Sequence, residues 1–146
     1  MKSTIRQASV ILGISLVAAT LTSLFHPKRP PWFSIEDPAS ERWNLSVIEA
    51  KQLIAGGDEL LWIDARGSEP YNEGHYPGAI LLNTDNWGDL MFQNLDRLQS
   101  AMGKPVIVYC DGKGCDKSKE VAERLRELLG LDPVYILKGD WKEMAP

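Results

Sequence analysis

Four short apolar runs constrain this chain more than anything else in it. Residues 60–63 (LLWI), 79–82 (AILL), 106–109 (VIVY) and 134–137 (VYIL) carry no charge. A strand of that kind has no side to show to water, so it is buried on both faces. Segments of helical period lie between the runs. Strands alternating with helices give an α/β fold, a parallel sheet flanked by helices on both faces. In such sheets ligands bind beyond the carboxyl ends of the strands. Asp64 and Cys110 stand at two of those ends.

The helical segments have readable limits. Ser46 and Glu49 form a capping-box pattern, with Leu45 placed to staple against Ala50. The helix they open carries Val47, Ala50, Leu53 and Ile54 on one face and stops at Gly56-Gly57. A short turn of helix is expected over 68–73, closed by Gly74. Residues 87–101 show Leu90, Met91, Leu95, Leu98 and, just beyond, Met102 at helical spacing. Residues 118–129 form the clearest helix, with Val121, Ala122, Leu125, Leu128 and Leu129 inward and Glu120 four residues before Arg124.

The N-terminus is a separate object. Residues 10–25 hold no charge, and with Ala8 and Ser9 the run reaches the lower limit for crossing a bilayer. One transmembrane helix is therefore expected to precede the α/β domain. The expected division is 1–26 as anchor or signal, 27–41 as a proline-rich linker and 42–146 as the domain. A cleaved signal peptide is the rival reading, although the run is long for one and no small-x-small cleavage site follows it. Lys2, Arg6 and the amino terminus slightly outweigh Lys28 and Arg29, which places the domain on the extracytoplasmic, periplasmic side. Thiols can be oxidised there. The four basic residues before position 36 face no acid, whereas the remainder has 12 basic and 20 acidic residues, a net charge of −8. That balance argues against a nucleic acid partner, because phosphate binding needs basic surface.

Both cysteines lie in residues 109–118, YCDGKGCDKS. The stretch runs from a strand end into a helix start. Gly112 and Gly114 can turn successive N–H groups inward as an anion-binding nest. The helix start adds partial positive charge, and Lys113 and Lys117 add full charges. Together these stabilise a thiolate at Cys110, with Asp111 and Asp116 opposing. A zinc site lacks ligands: there are two cysteines and two histidines, and His26 lies in the linker, so no metal is expected. A phosphate loop ending at Lys117-Ser118 would need glycine at 111 and 116, and both are Asp. A dinucleotide fingerprint would need glycine where Lys117 stands. A redox pair stays open, since a loop can bring Cys110 and Cys115 within bridging distance. So does the plain alternative of two unreactive small residues, which suits Cys115 better than Cys110.

Two stretches resemble the rhodanese (sulfurtransferase) family. In residues 62–83, WIDARGSEPYNEGHYPGAILLN, Asp64, Arg66, Tyr71, Gly74, His75, Pro77, Gly78 and Ala79 match the family's strand-ending D-x-R, aromatic and G-H-x-P-G-A pattern. The second is VIVYCDGKGCDKSKEVAERLRELLG, in which a strand delivers a cysteine into a tight loop before a helix. Residues 135–141, YILKGDW, are similar to the family's last strand and its Gly-x-Trp turn. The resemblance covers about residues 42–146 and implies a rhodanese-like fold. It also implies a mechanism without cofactors: the cysteine takes sulfane sulfur from a small donor as a persulfide and passes it to a thiol or other nucleophile. Cys110 is then the catalytic nucleophile, and Asp111, Gly112, Lys113, Gly114, Cys115, Asp116, Lys117 and Ser118 form the loop that binds substrate. Asp64, Arg66 and His75 are supporting residues, the first two as an ion pair at the rim and His75 as a turn element.

The chain departs from the family at the loop, whose common form is C-x-x-G-x-R followed by Ser or Thr. Cys115 stands in the arginine's place and Asp116 in that of Ser or Thr. Loss of the arginine weakens binding of an anionic donor unless Lys113 or Lys117 replaces it. It also counts against the related Cys-x5-Arg phosphatases, since Asp116 occupies their arginine position. A non-catalytic or thiol-redox binding module, anchored at the membrane, is the alternative to the sulfurtransferase.

Overall fold

The computed structural model describes residues 2–25, 41–57, 59–111 and 116–144. The chain divides into two units, Met1–Asp37 and Pro38–Pro146. The first contains α1 (Lys2–Phe25). Its side chains are described at positions 6, 7, 9–18 and 22, where Val10, Ile11, Leu12, Ile14, Leu16 and Val17 are all exposed. Among the described residues no helix is long and apolar enough to cross a membrane. The linker expected over 27–41 lies, except for its last residue, outside the described residues.

The second unit is a five-stranded parallel sheet. Its elements in chain order are β1 (Asn44–Ser46), α2 (Val47–Ala55), β2 (Leu61–Asp64), α3 (Ser68–Glu73), β3 (Ile80–Leu81), α4 (Trp87–Gln93), α5 (Leu95–Ser100), β4 (Val106–Tyr109), α6 (Asp116–Leu129) and β5 (Val134–Lys138), closed by a 3-10 turn at Trp141–Met144. The strand order is β1-β5-β4-β2-β3. The chain leaves β2 toward β3 on one side and leaves β4 toward β5 on the other. The connections therefore diverge between β2 and β4, the crevice where parallel sheets bind ligands. Asp64 and Tyr109 are register partners across that crevice, and Cys110 follows directly.

Strand alternation sorts the core into two layers. Leu61, Ile63, Val106, Val108 and Cys110 pack with Leu98 of α5 and Val121, Ala122 and Leu125 of α6. Trp62, Ile107 and Tyr109 pack on the other face with Ala50 of α2, Leu137, Trp141 and Met144. The capping box at Ser46 forms in full: the Glu49 amide donates to Ser46 Oγ, and Glu49 Oε2 accepts from the Ser46 amide at 2.8 Å. This closed pair of bonds starts α2 directly at the end of β1.

Three features depart from the sequence reading. The strand β1 was not expected; its NLS sequence carries no strand signal, and pairing with β5 alone defines it. The helix expected over 87–101 is two helices, because Asn94 breaks it. Its side-chain amide donates back to the Leu90 carbonyl at 2.8 Å and across to the Leu81 carbonyl at 3.4 Å, in competition with the backbone ladder. Leu128, expected inward, is exposed in the last turn of α6, where the half-buried Leu129 and the buried Leu131 close the layer instead.

Candidate active site

The carboxyl ends of β2 and β4 present two different chemistries. On the Trp62 side lies a dense polar cluster. The Asp64 side chain is fully buried and Arg66 is 7% exposed. Arg66 Nε donates to both Asp64 oxygens at 2.9 and 3.0 Å, and one terminal nitrogen donates to Oδ2 at 2.7 Å and to the Gly74 carbonyl at 2.6 Å. The Arg66 amide also donates to Asp64 Oδ1 at 2.9 Å. The guanidinium lies over two rings, 5.1 Å from Trp141 and 5.8 Å from Tyr109. This fork-on-fork pairing satisfies the buried charges, which a low-dielectric interior demands. The hydrogen bonds to Asp64 hold the Arg66 guanidinium above its ordinary pKa, against desolvation.

Neighbours fix the cluster in turn. Asn83, almost fully buried, donates to the Arg66 carbonyl at 3.0 Å. The Tyr109 hydroxyl accepts from the Tyr76 amide at 3.0 Å. Burial pushes the Tyr109 phenol up, and Asp64 adds to the shift while the Tyr76 amide opposes it. Sequence reasoning did not single out Tyr109, Asn83, Tyr76 or Trp141 for this cluster. A polar Asn directly after an apolar run, and a Tyr at the inner end of a buried strand, are the signals that mark two of them.

Cys110 belongs to the opposite layer. It is 4% exposed, packs among the α6 core residues and is disulfide-bonded. The chain holds one other cysteine, Cys115. Asp111 turns outward at 68% exposure and takes the remaining arm of Arg66 at 3.4 Å. Gly112, Lys113, Gly114 and Cys115 lie outside the described residues. Asp116 opens α6, and Ser118 is buried in its first turn. Lys117 lies 3.7 Å from Asp85, an ion pair at the surface. His75 is exposed; its ring stacks on Tyr71 at 3.9 Å, and Nδ1 lies 3.0 Å from the Tyr71 carbonyl. The structure therefore brings Asp64, Arg66, Asp111 and Cys110 to one crevice and leaves His75 in its own turn. Among the described residues no group of three or more His, Cys, Asp or Glu is arranged to hold a metal ion.

Residues 46–145 match the family model of the Rhodanese-like domain. The chain belongs to the rhodanese-like family. The match covers strands β2 to β5, the last residue of β1 and both halves of the crevice. Among curated proteins the chain is similar to tRNA uridine(34) hydroxylase of Yersinia pestis (strain Pestoides F) and of Yersinia pseudotuberculosis serotype O:1b (strain IP 31758). Each is 30% identical over 109 residues, which is 75% of this chain and 30% of the relative. The chain thus spans under a third of the length of these relatives. Among solved structures it resembles the BH2092 protein from Bacillus halodurans, with a TM-score of 0.54 at 24% identity over 70% of this chain and 72% of that one. A protein from Lactobacillus plantarum follows at a TM-score of 0.50 and 20% identity, covering 74% of this chain and 89% of that one. At those identities the likeness is one of fold.

Proposed function

We propose that this rhodanese-like chain is a sulfurtransferase that carries sulfane sulfur as a persulfide on Cys110. The observation that supports the reading is positional. Cys110 is the first residue past the central strand β4, at the point where the sheet's connections diverge, and it leads toward the N-terminus of the 14-residue helix α6. In the reduced chain the Cys110 thiolate attacks the outer sulfur of a sulfane donor. The donor's S–S bond breaks, the rest of the donor leaves with the bonding pair (a thiolate from a hydropersulfide, sulfite from thiosulfate), and a new S–S bond forms on Cys110. An acceptor nucleophile then takes the outer sulfur and restores the thiolate. The disulfide at Cys110 makes reduction the entry step: two thiols give one external disulfide and two protein thiols.

That same disulfide favours a second reading, a thiol-redox binding module in which Cys110 alternates between bonded and free states. Hydroxylation of tRNA is the named activity of much longer relatives. The net charge of −8 beyond residue 35 gives this domain a poor surface for RNA. In the proposal α1 is a single-pass membrane anchor with the domain on the extracytoplasmic side. The uncharged run at residues 10–25 is the support for this, although the described part of α1 does not itself reach the length and hydropathy of a membrane span.

Mass spectrometry of the reduced full chain after exposure to a sulfane donor tests the reading. Wild type should gain one sulfur that maps to Cys110, and Cys110→Ser should gain none. Retention of the added sulfur by Cys110→Ser, or its absence from wild type with every donor, would end the proposal. Phosphatase and fluorescent-protein fusions at the C-terminus report the side of the membrane. Fluorescence without phosphatase activity would reverse the topology.

A further inference from the structure

The charges at the crevice mouth carry an inference about the donor, one that rests on the sulfurtransferase reading. Arg66 is the cation nearest in sequence to the crevice on the β2 side, and four of its five N–H donors have partners: Nε and one terminal nitrogen on Asp64, the same nitrogen on Gly74, and the other terminal nitrogen on Asp111. Lys117, on the α6 side, faces Asp85. Asp64, Arg66 and Asp111 together carry one net negative charge. The exposed member of the three is Asp111, the residue directly after Cys110. Asp116 places a further carboxylate in the first turn of α6, against the partial positive charge of that helix end. A dianion approaching Cys110 therefore meets a carboxylate, and none of these described cations offers it an uncommitted two-pronged partner.

We infer that Asp111 sets the charge class of the sulfur donor, turning away dianions such as thiosulfate and admitting donors with at most one negative charge, such as alkyl hydropersulfides. The step balances without a further reagent. The Cys110 thiolate attacks the outer sulfur of R–S–SH, the donor's S–S bond breaks, R–S⁻ departs with the bonding pair, and the proton stays on the new Cys110 persulfide. Asp111→Asn would act twice, removing the carboxylate and freeing one arm of Arg66 toward the mouth.

The experiment compares the rates at which the reduced full chain gains one sulfur from thiosulfate and from mercaptoethanol hydropersulfide, read by mass spectrometry. Wild type should react faster with the hydropersulfide. Asp111→Asn should raise the thiosulfate rate by roughly five- to tenfold at low salt, the scale of one unit charge about 4 Å away at the dielectric of bulk water. The gain should shrink as salt screens it. The hydropersulfide rate should change much less, and Asp111→Glu should keep the wild-type ratio of the two rates. Equal wild-type rates for the two donors, or an Asp111→Asn change of the same size for both, would overturn the inference and leave the sulfurtransferase reading standing. No added sulfur from either donor would remove that reading and the inference with it.

Discussion

The two sides of one crevice are built differently. At the end of β2, Asp64 and Arg66 bury opposite charges and close every strong hydrogen bond between them, with two aromatic rings over the guanidinium. At the end of β4, Cys110 lies in an apolar layer, and its only acidic chain neighbour faces outward. A fully satisfied ion pair has little left to offer a substrate, because changing its partners costs the desolvation that the pairing offset. Cys110 sits instead among apolar neighbours and is disulfide-bonded. On the proposed reading the first side is scaffold and the second carries the chemistry.

Substitutions can break that division. The largest effect is expected at Asp64. Asp64→Ala leaves Arg66 charged and buried without its main partner, which costs about 3–5 kcal/mol in denaturant unfolding. A loss below about 1 kcal/mol would mean that the pair is not the scaffold. Gly139 comes next. It precedes the turn that carries Trp141 over Arg66, at φ 155°, and an added Cβ would meet Val47 Cγ2 at 2.5 Å. Gly139→Ala should cost about 1–3 kcal/mol by overpacking and should shift the tryptophan fluorescence.

Ser46 is the control away from the crevice. Ser46→Ala should cost about 1 kcal/mol at neutral pH through the lost N-cap. The cost should shrink in acid. Hydrogen bonds from Ser46 hold the Glu49 carboxyl below its ordinary range, so this stabilisation is present above the unfolded carboxyl's pKa and fades as pH falls through the folded one. Urea melts at neutral and strongly acidic pH would show the two chains converging; a constant gap would reject the linkage. The smallest effect belongs to the exposed Glu120–Arg124 pair on α6, at 2.8 Å. Glu120→Ala, which leaves Arg124 over the Trp87 ring, should change stability by no more than about 0.5 kcal/mol, screened by salt.

The crevice was unevenly legible in the sequence. The runs VIVY and VYIL point to strands directly, because they are short and rich in β-branched and aromatic residues, which favours a buried strand over a helix. Asp64 and Cys110 could be placed at strand ends for the same reason, whereas Arg66 entered only through the family resemblance. What stayed hidden depends on distant partners. The strand β1 exists because residues 44–46 pair with residues 136–138. Asn94 ends α4 through a bond to β3 that no local window contains. Tyr109 reads as the last apolar residue of a strand, and only the approach of the Tyr76 amide and Arg66 makes it part of a polar cluster. Similarly, Asp111 reads as one more acid in a charged loop until Arg66, far earlier in the chain, is seen beside it.

The division between scaffold and chemistry meets its most direct test in transfer, not loading. The reduced full chain would be given a hydropersulfide donor and a thiol or cyanide acceptor, and sulfur delivered to the acceptor would be followed over many turnovers. Wild type should deliver sulfur repeatedly. Cys110→Ser should deliver none above the uncatalysed rate, while its circular dichroism at the assay temperature stays that of the folded chain. Continued turnover by Cys110→Ser would place the chemistry elsewhere in the molecule and contradict the account.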